Sequence, residues 1–256
     1  MTLQPPSRPS TTSPTHASAA AHAATGAAPA PAGKLPEAAT AAKNGAGSSV
    51  GVQVADLHCY FGRVAAVKNV SFQIQPGEHI AITGANGSGK STLLRCLIGL
   101  HRPSSGEICI GHTSVCRHPT LAHRLCAWVP QRQTVGRFPL RVHELLASGG
   151  APQAATAAAD QLGIAHLLQR PLSTLSGGQL QRAFIARAIG SLHHQASVLL
   201  ADEPTAALDF AGQQEIANLI AQLPCTAVVV THDRGMAARC DRVFEMAAGS
   251  LREVGR

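Results

Sequence analysis

The chain has 256 residues, of which 45% are hydrophobic, and this suits one or two domains with a sizeable buried core. Its net charge of +7 is compatible with phosphate, anionic-lipid or nucleic-acid ligands and selects none of them. No segment approaches the roughly 20 uninterrupted apolar residues of a membrane span, and with 1 Trp and 1 Tyr the chain offers no aromatic platform for single-stranded nucleic acid.

Residues 1–50 are rich in Ala, Pro, Ser and Thr, with few charges and no apolar periodicity. Because such a segment cannot bury enough surface to offset its ordering entropy, we expect a disordered tail. The segment lacks the apolar stretch of a secretory signal and is poor in Arg, which argues against a targeting role. The predicted domain is therefore 51–253.

The 7 cysteines are an odd number and none of them forms a CxxC pair, which predicts buried free thiols in a reducing compartment. They are Cys59, Cys96, Cys109, Cys116, Cys126, Cys225 and Cys240. Two of them, Cys109 and Cys116, lie close in sequence to His112 and His118 and raise the alternative of a structural metal. Since their spacing fits no established zinc pattern, we expect no metal there.

Short apolar runs alternate with helical segments after Gly51, which predicts an α/β domain with a mainly parallel sheet. The predicted strands are Val52–Val54, Ser71–Ile74, His79–Thr83, Glu107–Ile110, Ala127–Val129, Val198–Ala201, Ala227–Thr231 and Val243–Met246. The predicted helices are Lys90–Gly99, Val142–Ala147, Gln153–Leu168, Gly178–Ser191 and Gln213–Leu223. Between 134 and 176 no strand is evident, so we expect an inserted helical subdomain.

A phosphate-binding loop is predicted between the third strand and the first helix, where the sequence fits GxxxxGK[ST]. Its residues are Gly84, Ala85, Asn86, Gly87, Ser88, Gly89, Lys90 and Ser91, with Thr92 adjoining. Glycines let backbone N–H groups surround an anion at a helix N-terminus. Lys90 can then reach the β- and γ-phosphates, and the Ser91 hydroxyl can ligate Mg²⁺. The alternative is a plain glycine-rich turn.

Two carboxylates, Asp202 and Glu203, follow the buried strand Val198–Ala201 at the sheet edge where α/β proteins bind ligands. We expect Asp202 to hold Mg²⁺, directly or through water, and Glu203 to orient or deprotonate an attacking water. A helix cap or a salt bridge is the alternative, which the nearby phosphate loop disfavours.

The run Leu175 to Gln179 reads LSGGQ and resembles the signature of ATP-binding cassette (ABC) ATPases. The resemblance covers about Val52 to Leu251. It implies a P-loop NTPase cassette with a mainly parallel sheet core, an antiparallel β part and an inserted helical subdomain. It also implies hydrolysis of ATP with Mg²⁺ as cofactor.

Further positions are similar to that family's motifs in the same order. Tyr60 resembles the aromatic residue that stacks on adenine, and Gln131 resembles the glutamine that senses Mg²⁺ and the membrane partner. Asp209 ends a segment similar to the D-loop. His232 resembles the switch histidine that contacts the γ-phosphate.

The resemblance also implies partners. The family's signature residues, here Ser176, Gly177, Gly178 and Gln179, open a helix that meets the γ-phosphate held by a second cassette. The implied assembly is a homodimer of cassettes with two transmembrane permease subunits and a substrate-binding protein, and without nucleic acid. Its implied location is peripheral, at the cytoplasmic face of the inner membrane.

The cargo is suggested by Val129–Gln133 and by Phe138–Val142, which resemble the zinc/manganese importer branch. The alternatives are a siderophore, haem or other small-solute transporter, an exporter subunit, and a soluble ABC ATPase acting on nucleic acid or ribosomes. Soluble ABC ATPases of that last kind carry two cassettes or a long inserted coiled coil. This sequence shows one cassette and no such coiled coil, which disfavours the soluble alternative.

Overall fold

The computed structural model describes residues 49–131, 133 and 139–255. The predicted tail, except for its last two residues, and residues Arg132 and Phe138 of the two cargo-related segments lie outside the described residues. The strands are β1 Val52–Phe61, β2 Val64–Ile74, β3 His79–Thr83, β4 Ser105–Ile110, β5 Thr113–Ser114, β6 Cys126–Val129, β7 Val198–Asp202, β8 Thr226–Val230, β9 Arg242–Ala247 and β10 Ser250–Val254. The helices are α1 Lys90–Leu97, α2 Pro119–Arg124, α3 Val142–Ala147, α4 Pro152–Gln161, α5 Gly177–Leu192, α6 Phe210–Ala221 and α7 Arg234–Ala237.

The main sheet has six strands in the order β10-β9-β3-β8-β7-β6. All neighbouring pairs are parallel except β10 with β9. Every residue of β7 and β8 is buried, which explains why these strands are continuous apolar runs without alternation. The carboxyl ends of β3, β6, β7 and β8 therefore meet at one edge, which confirms the predicted parallel core.

A second, antiparallel sheet has the order β2-β1-β4-β5. Along β1 the side chains of Val52, Val54, Leu57 and Cys59 are buried and pack with helix α1 in one hydrophobic cluster. The β1–β2 hairpin thereby lies beside the start of α1, as the antiparallel part of the predicted fold requires.

The inserted segment is helical, as predicted. Its described part contains α3, α4 and two 3-10 turns, and apart from one bridge between Arg141 and Pro171 it contains no strand. The predicted helix Gln153–Leu168 is too long, because α4 ends at Gln161. Gly163 follows with a φ of 69°, a left-handed conformation that commonly ends helices.

The prediction of buried thiols is confirmed except at Cys109 and Cys116, which are only half-buried. Cys59, Cys96, Cys126 and Cys225 are buried free cysteines. Burial raises the pKa of Cys96, Cys126 and Cys225 to about 12, so these thiols stay neutral at ordinary pH. In the described part of the chain no group of three His, Cys, Asp or Glu side chains could hold a metal ion.

A membrane-spanning helix would need more apolar length than any helix in the described residues has.

Candidate functional site

The predicted phosphate loop connects β3 to α1, and the Lys90 side chain at its end bonds back to the backbone at its start. The Lys90 ammonium donates hydrogen bonds to the carbonyl oxygens of Gly84 at 2.7 Å and Ala85 at 2.9 Å. Burial lowers the pKa of Lys90, and the charges of Glu203 and Asp202 oppose that shift. A buried cation that binds only backbone carbonyls is suited to exchange them for anionic oxygens.

Two glycines of this loop are required by close backbone contacts. Gly84 has a φ of 136°, and a Cβ there would lie 2.1 Å from the Met246 carbonyl oxygen. Gly89 has a φ of 112°, and a Cβ there would lie 2.1 Å from the carbonyl oxygen of Ala66 in β2. The second sheet thus presses directly on the loop, and only glycine fits at these two positions.

Asp202 ends β7 with 4% of its surface exposed. Burial raises its pKa, while a hydrogen bond with Ser91 and the charges of Arg95 and Lys90 hold the pKa down. Its Oδ1 atom is buried and has no hydrogen-bond partner. An unpaired carboxylate oxygen beside a serine hydroxyl fits the oxygen ligands that Mg²⁺ prefers.

Glu203 is the most constrained residue of the site. It is 6% exposed, and its φ of 53° is left-handed. The backbone N–H of Glu203 donates to the Val230 carbonyl at 2.8 Å, and the backbone N–H of His232 donates to Glu203 Oε2 at 3.2 Å. His232 Nε2 lies 3.2 Å from Glu203 Oε1. This distance is short enough for an ion pair, but the two atoms do not have the geometry of a hydrogen bond.

Burial is the largest influence on the Glu203 carboxyl and raises its pKa. The backbone hydrogen bond from His232 and the charges of His232 and Lys90 lower it, and Asp202 raises it further. A buried carboxylate with a raised pKa at the end of a strand is suited to accept a proton from water.

These groups meet in one cavity of about 450 Å³. Gln131, which follows β6, is exposed and also lines the cavity. The lining residues are Phe61, Ala66, Asn86, Gly87, Gly89, Lys90, Ser91, Thr92, Gln131, Asp202, Glu203 and His232. The structure therefore brings together residues from four separate segments that the sequence assigns to one site, with Phe61 and Ala66 added.

The aromatic residue that lines the cavity is not the predicted one. Phe61 lines the cavity, whereas Tyr60 does not; the Tyr60 side chain stacks on His58 with ring centroids 6.3 Å apart. Successive strand residues face opposite sides, and Leu57 and Cys59 point to the interior. The alternation along β1 is the sequence signal that indicates Phe61, because Phe61 lies on the same face of the strand as Leu57 and Cys59. We therefore expect Phe61, and not Tyr60, to be the aromatic residue that would stack on adenine.

The signature residues lie away from this cavity. Ser176 caps α5: its Oγ accepts from the Gln179 N–H at 3.3 Å, and the Ser176 N–H donates to Gln179 Oε1 at 3.0 Å. A Cβ on Gly178 would lie 3.2 Å from the Ala207 carbonyl oxygen, and Gly177 also packs near Ala207. None of Ser176 to Gln179 is among the residues that line the cavity of the same chain.

Asp209 caps another helix in the same neighbourhood. Its Oδ1 accepts from the Gly212 N–H at 3.0 Å at the start of α6. Asp209 is not among the cavity residues either. Within one chain, then, a phosphate cradle with paired carboxylates lies in one place and two capped helix tips lie in another. This arrangement can bind a phosphorylated ligand and place a basic carboxylate near it.

Comparison with known proteins agrees with this geometry. A model of the ABC transporter family matches residues 67–206. The hemin import ATP-binding protein HmuV of Photobacterium damselae subsp. damselae is 34% identical over 81% of this chain and 84% of that protein. The zinc import ATP-binding protein ZnuC of Pseudomonas aeruginosa strain PAO1 is 36% identical over 71% of this chain and 65% of that protein.

Among solved structures, the dimeric structure of MJ0796, a bacterial ABC transporter cassette, superimposes with a TM-score of 0.72 and 28% identity. The match covers 79% of this chain and 97% of that cassette. Proteins named for hemin and for zinc are similar to this chain at nearly equal identity, so the likeness concerns the cassette and not its cargo.

Proposed function

Because this chain belongs to the ABC transporter family and is an ATP-binding ATPase subunit, we propose that it powers a membrane importer of a transition metal ion, zinc or manganese. Cassettes of this family work as dimers with transmembrane permease subunits. A single observation carries the ATPase part of the proposal: Lys90, Asp202, Glu203 and His232, from two strand ends and a helix start, line one cavity.

Each cavity residue has a role that its surroundings support. Lys90 would leave the Gly84 and Ala85 carbonyls for the β- and γ-phosphates, with the N–H groups of Asn86 to Thr92 around them. Phe61 would stack on the adenine. Glu203 would orient the attacking water and accept its proton, with His232 holding the carboxylate and the γ-phosphate in register.

The magnesium ligands proposed are Asp202 and Ser91, with Gln131 at the cavity edge. The buried, unpaired Oδ1 of Asp202 supports this assignment. When bound with ATP, Mg²⁺ neutralises the charge that develops on the transferring phosphate.

The nucleotide-binding site would be completed by a second copy of the chain. The Ser176 tip, with Gly177, Gly178 and Gln179, is an anion-binding helix terminus that its own cavity does not use. In a two-fold dimer, each tip would meet the triphosphate of its mate, near Asp209 of the D-loop. ATP would then favour the closed dimer, and hydrolysis would release it.

The cargo proposal rests on the Val129–Gln133 segment and on the similarity to ZnuC. Haem is the second candidate, because the similarity to HmuV extends over more of this chain and more of that protein. In either case we propose a peripheral location at the cytoplasmic face of the inner membrane and a separate substrate-binding protein.

Uptake in a strain lacking the chain distinguishes these cargoes. The strain is complemented with the wild-type chain or, as a matched control that cannot cradle phosphate, with Lys90→Ala. We expect accumulation of zinc or manganese to be restored by the wild type only. Restoration of haem use with unchanged metal accumulation would replace the metal proposal by the haem one.

A further inference from the structure

The ring that lines the nucleotide cavity has a second ring behind it. Phe61 and His101 have ring centroids 4.7 Å apart, with planes tilted by 33°. This separation is within the range of favourable aromatic contacts. His101 is half-buried and is not among the residues that line the cavity. The Phe61 ring therefore lines the cavity and also contacts the His101 ring.

The backbone around His101 is tied to both parts of the site. The N–H groups of Leu100 and His101 donate to the Arg95 carbonyl at 2.9 and 3.0 Å, at the end of the helix that begins with Lys90. Farther along, the Ser104 N–H donates to the His58 carbonyl at 2.8 Å, and the Tyr60 N–H donates to Ser104 Oγ at 3.1 Å. The segment with His101 thus connects α1 to the strand that carries Phe61.

Phe61 needs such support because of its position in the fold. It is the last residue of β1, directly before the turn to β2, and 50% of its surface is exposed. An exposed ring at a hairpin end has rotamer freedom, which a ligand that stacks on it must remove. His101 is its one aromatic contact within the described residues.

We propose that His101 is a positioning residue for the base of the nucleotide: its ring holds the Phe61 ring in the orientation that stacks on adenine. The inference rests on the proposed function, in which Phe61 is the adenine platform. His101 acts through Phe61 and contributes nothing to phosphate binding. Its effect is therefore confined to ligands that carry a base.

The test compares two ligands on the purified full chain. A non-hydrolysable ATP analogue carries the base, and inorganic tripolyphosphate carries the phosphates alone. We expect His101→Ala to raise the dissociation constant of the analogue roughly threefold, part of the value of one aromatic pair, and to leave that of tripolyphosphate unchanged. His101→Phe keeps a ring and should bind both ligands like the wild type. His112→Ala, at an exposed histidine in the turn between β4 and β5, is the matched control.

Steady-state kinetics add a second readout. For His101→Ala the KM for ATP should rise by the same factor with kcat unchanged, because only base binding is affected. The inference is overturned if His101→Ala binds the analogue like the wild type, if tripolyphosphate binding falls equally, or if His101→Phe is as weak as His101→Ala. Phe61→Ala separates the two proposals: if it leaves analogue affinity unchanged, the adenine platform itself is wrong.

Discussion

Glu203 combines three unfavourable features: a buried carboxylate, a left-handed backbone and one oxygen without a hydrogen-bond partner. A non-glycine residue in this conformation costs about 1–3 kcal/mol and persists only where its surroundings enforce it. Here the bond from its N–H to the Val230 carbonyl and the contact with His232 do so. Strain and a raised pKa on one residue are typical of a reacting group.

Glu203→Gln should leave ATP binding intact and reduce the hydrolysis rate by at least about 100-fold, because the amide cannot accept a proton from water. The slowed variant should also accumulate as an ATP-bound dimer. The measurement is phosphate release beside equilibrium nucleotide binding, with the more exposed Glu245→Gln as control. Hydrolysis at the wild-type rate would show that Glu203 is not the base.

Asp202→Asn should stabilise the nucleotide-free chain at neutral pH. Burial raises the pKa of Asp202 above the unfolded value, so the folded state binds more protons between the two values and stability falls as pH rises through this window. Removing the charge should raise the free energy of unfolding at pH 7, and the gain should shrink as pH falls through the raised pKa. Denaturant unfolding from pH 4 to 8 measures it. The exposed Asp160→Asn is the control, and a loss of stability at pH 7 would contradict the prediction.

At the level of elements, the contact between β2 and the phosphate loop sets the shape of the cavity. Gly89→Ala places a Cβ 2.1 Å from the Ala66 carbonyl oxygen, whereas Gly87→Ala, with a φ of 78°, meets nothing within 4 Å. Gly87→Ala should cost only the left-handed penalty of about 1–2 kcal/mol. Gly89→Ala should cost more and abolish nucleotide binding. Denaturant unfolding and ligand titration of the pair test this, and equal effects would refute it.

Elements set by local pattern were predictable from the sequence. The bounds of β3 and α3 agree with the predicted ones, because a strand buried on both faces and a short amphipathic helix leave clear patterns. Helix α4 was predicted too long because its alanine-rich periodicity continues past Gly163, whose conformation the periodicity does not report. The short strands β5 and β10 were not predicted, although each pairs with the strand directly before it, because neither contains a continuous apolar run.

The site was predictable where its residues are contiguous and less so where folding assembles them. Lys90, Asp202 and Glu203 follow from motifs next to apolar strands. The choice between Tyr60 and Phe61 depends on which face of β1 meets the phosphate loop, and tertiary packing sets that face. The left-handed conformation of Glu203 likewise arises from the packing of β7 against β8 and has no signal in the sequence.

For the molecule as a whole, the described residues form a cassette that contains the cavity, and we propose that the N-terminal tail is dispensable for catalysis. Deleting residues 1–45 should leave ATP hydrolysis within about twofold of the full chain, because the cavity residues among those described begin only at Phe61. The comparison is made on purified proteins at equal concentration. A large loss of hydrolysis would refute the tail prediction.

The central claim is that the nucleotide lies between the phosphate loop of one copy and the Ser176 tip of another. Cysteine cross-linking tests it directly in the Glu203→Gln background, by mixing a size-tagged chain that carries Asn86→Cys with an untagged chain that carries Ser176→Cys. We predict a disulfide between the two chains that forms in the mixture when ATP is present and is absent without ATP. The Glu203→Gln chain with native cysteines alone should give none. If ATP produces no cross-link between tagged and untagged chains, the two-copy nucleotide site is contradicted.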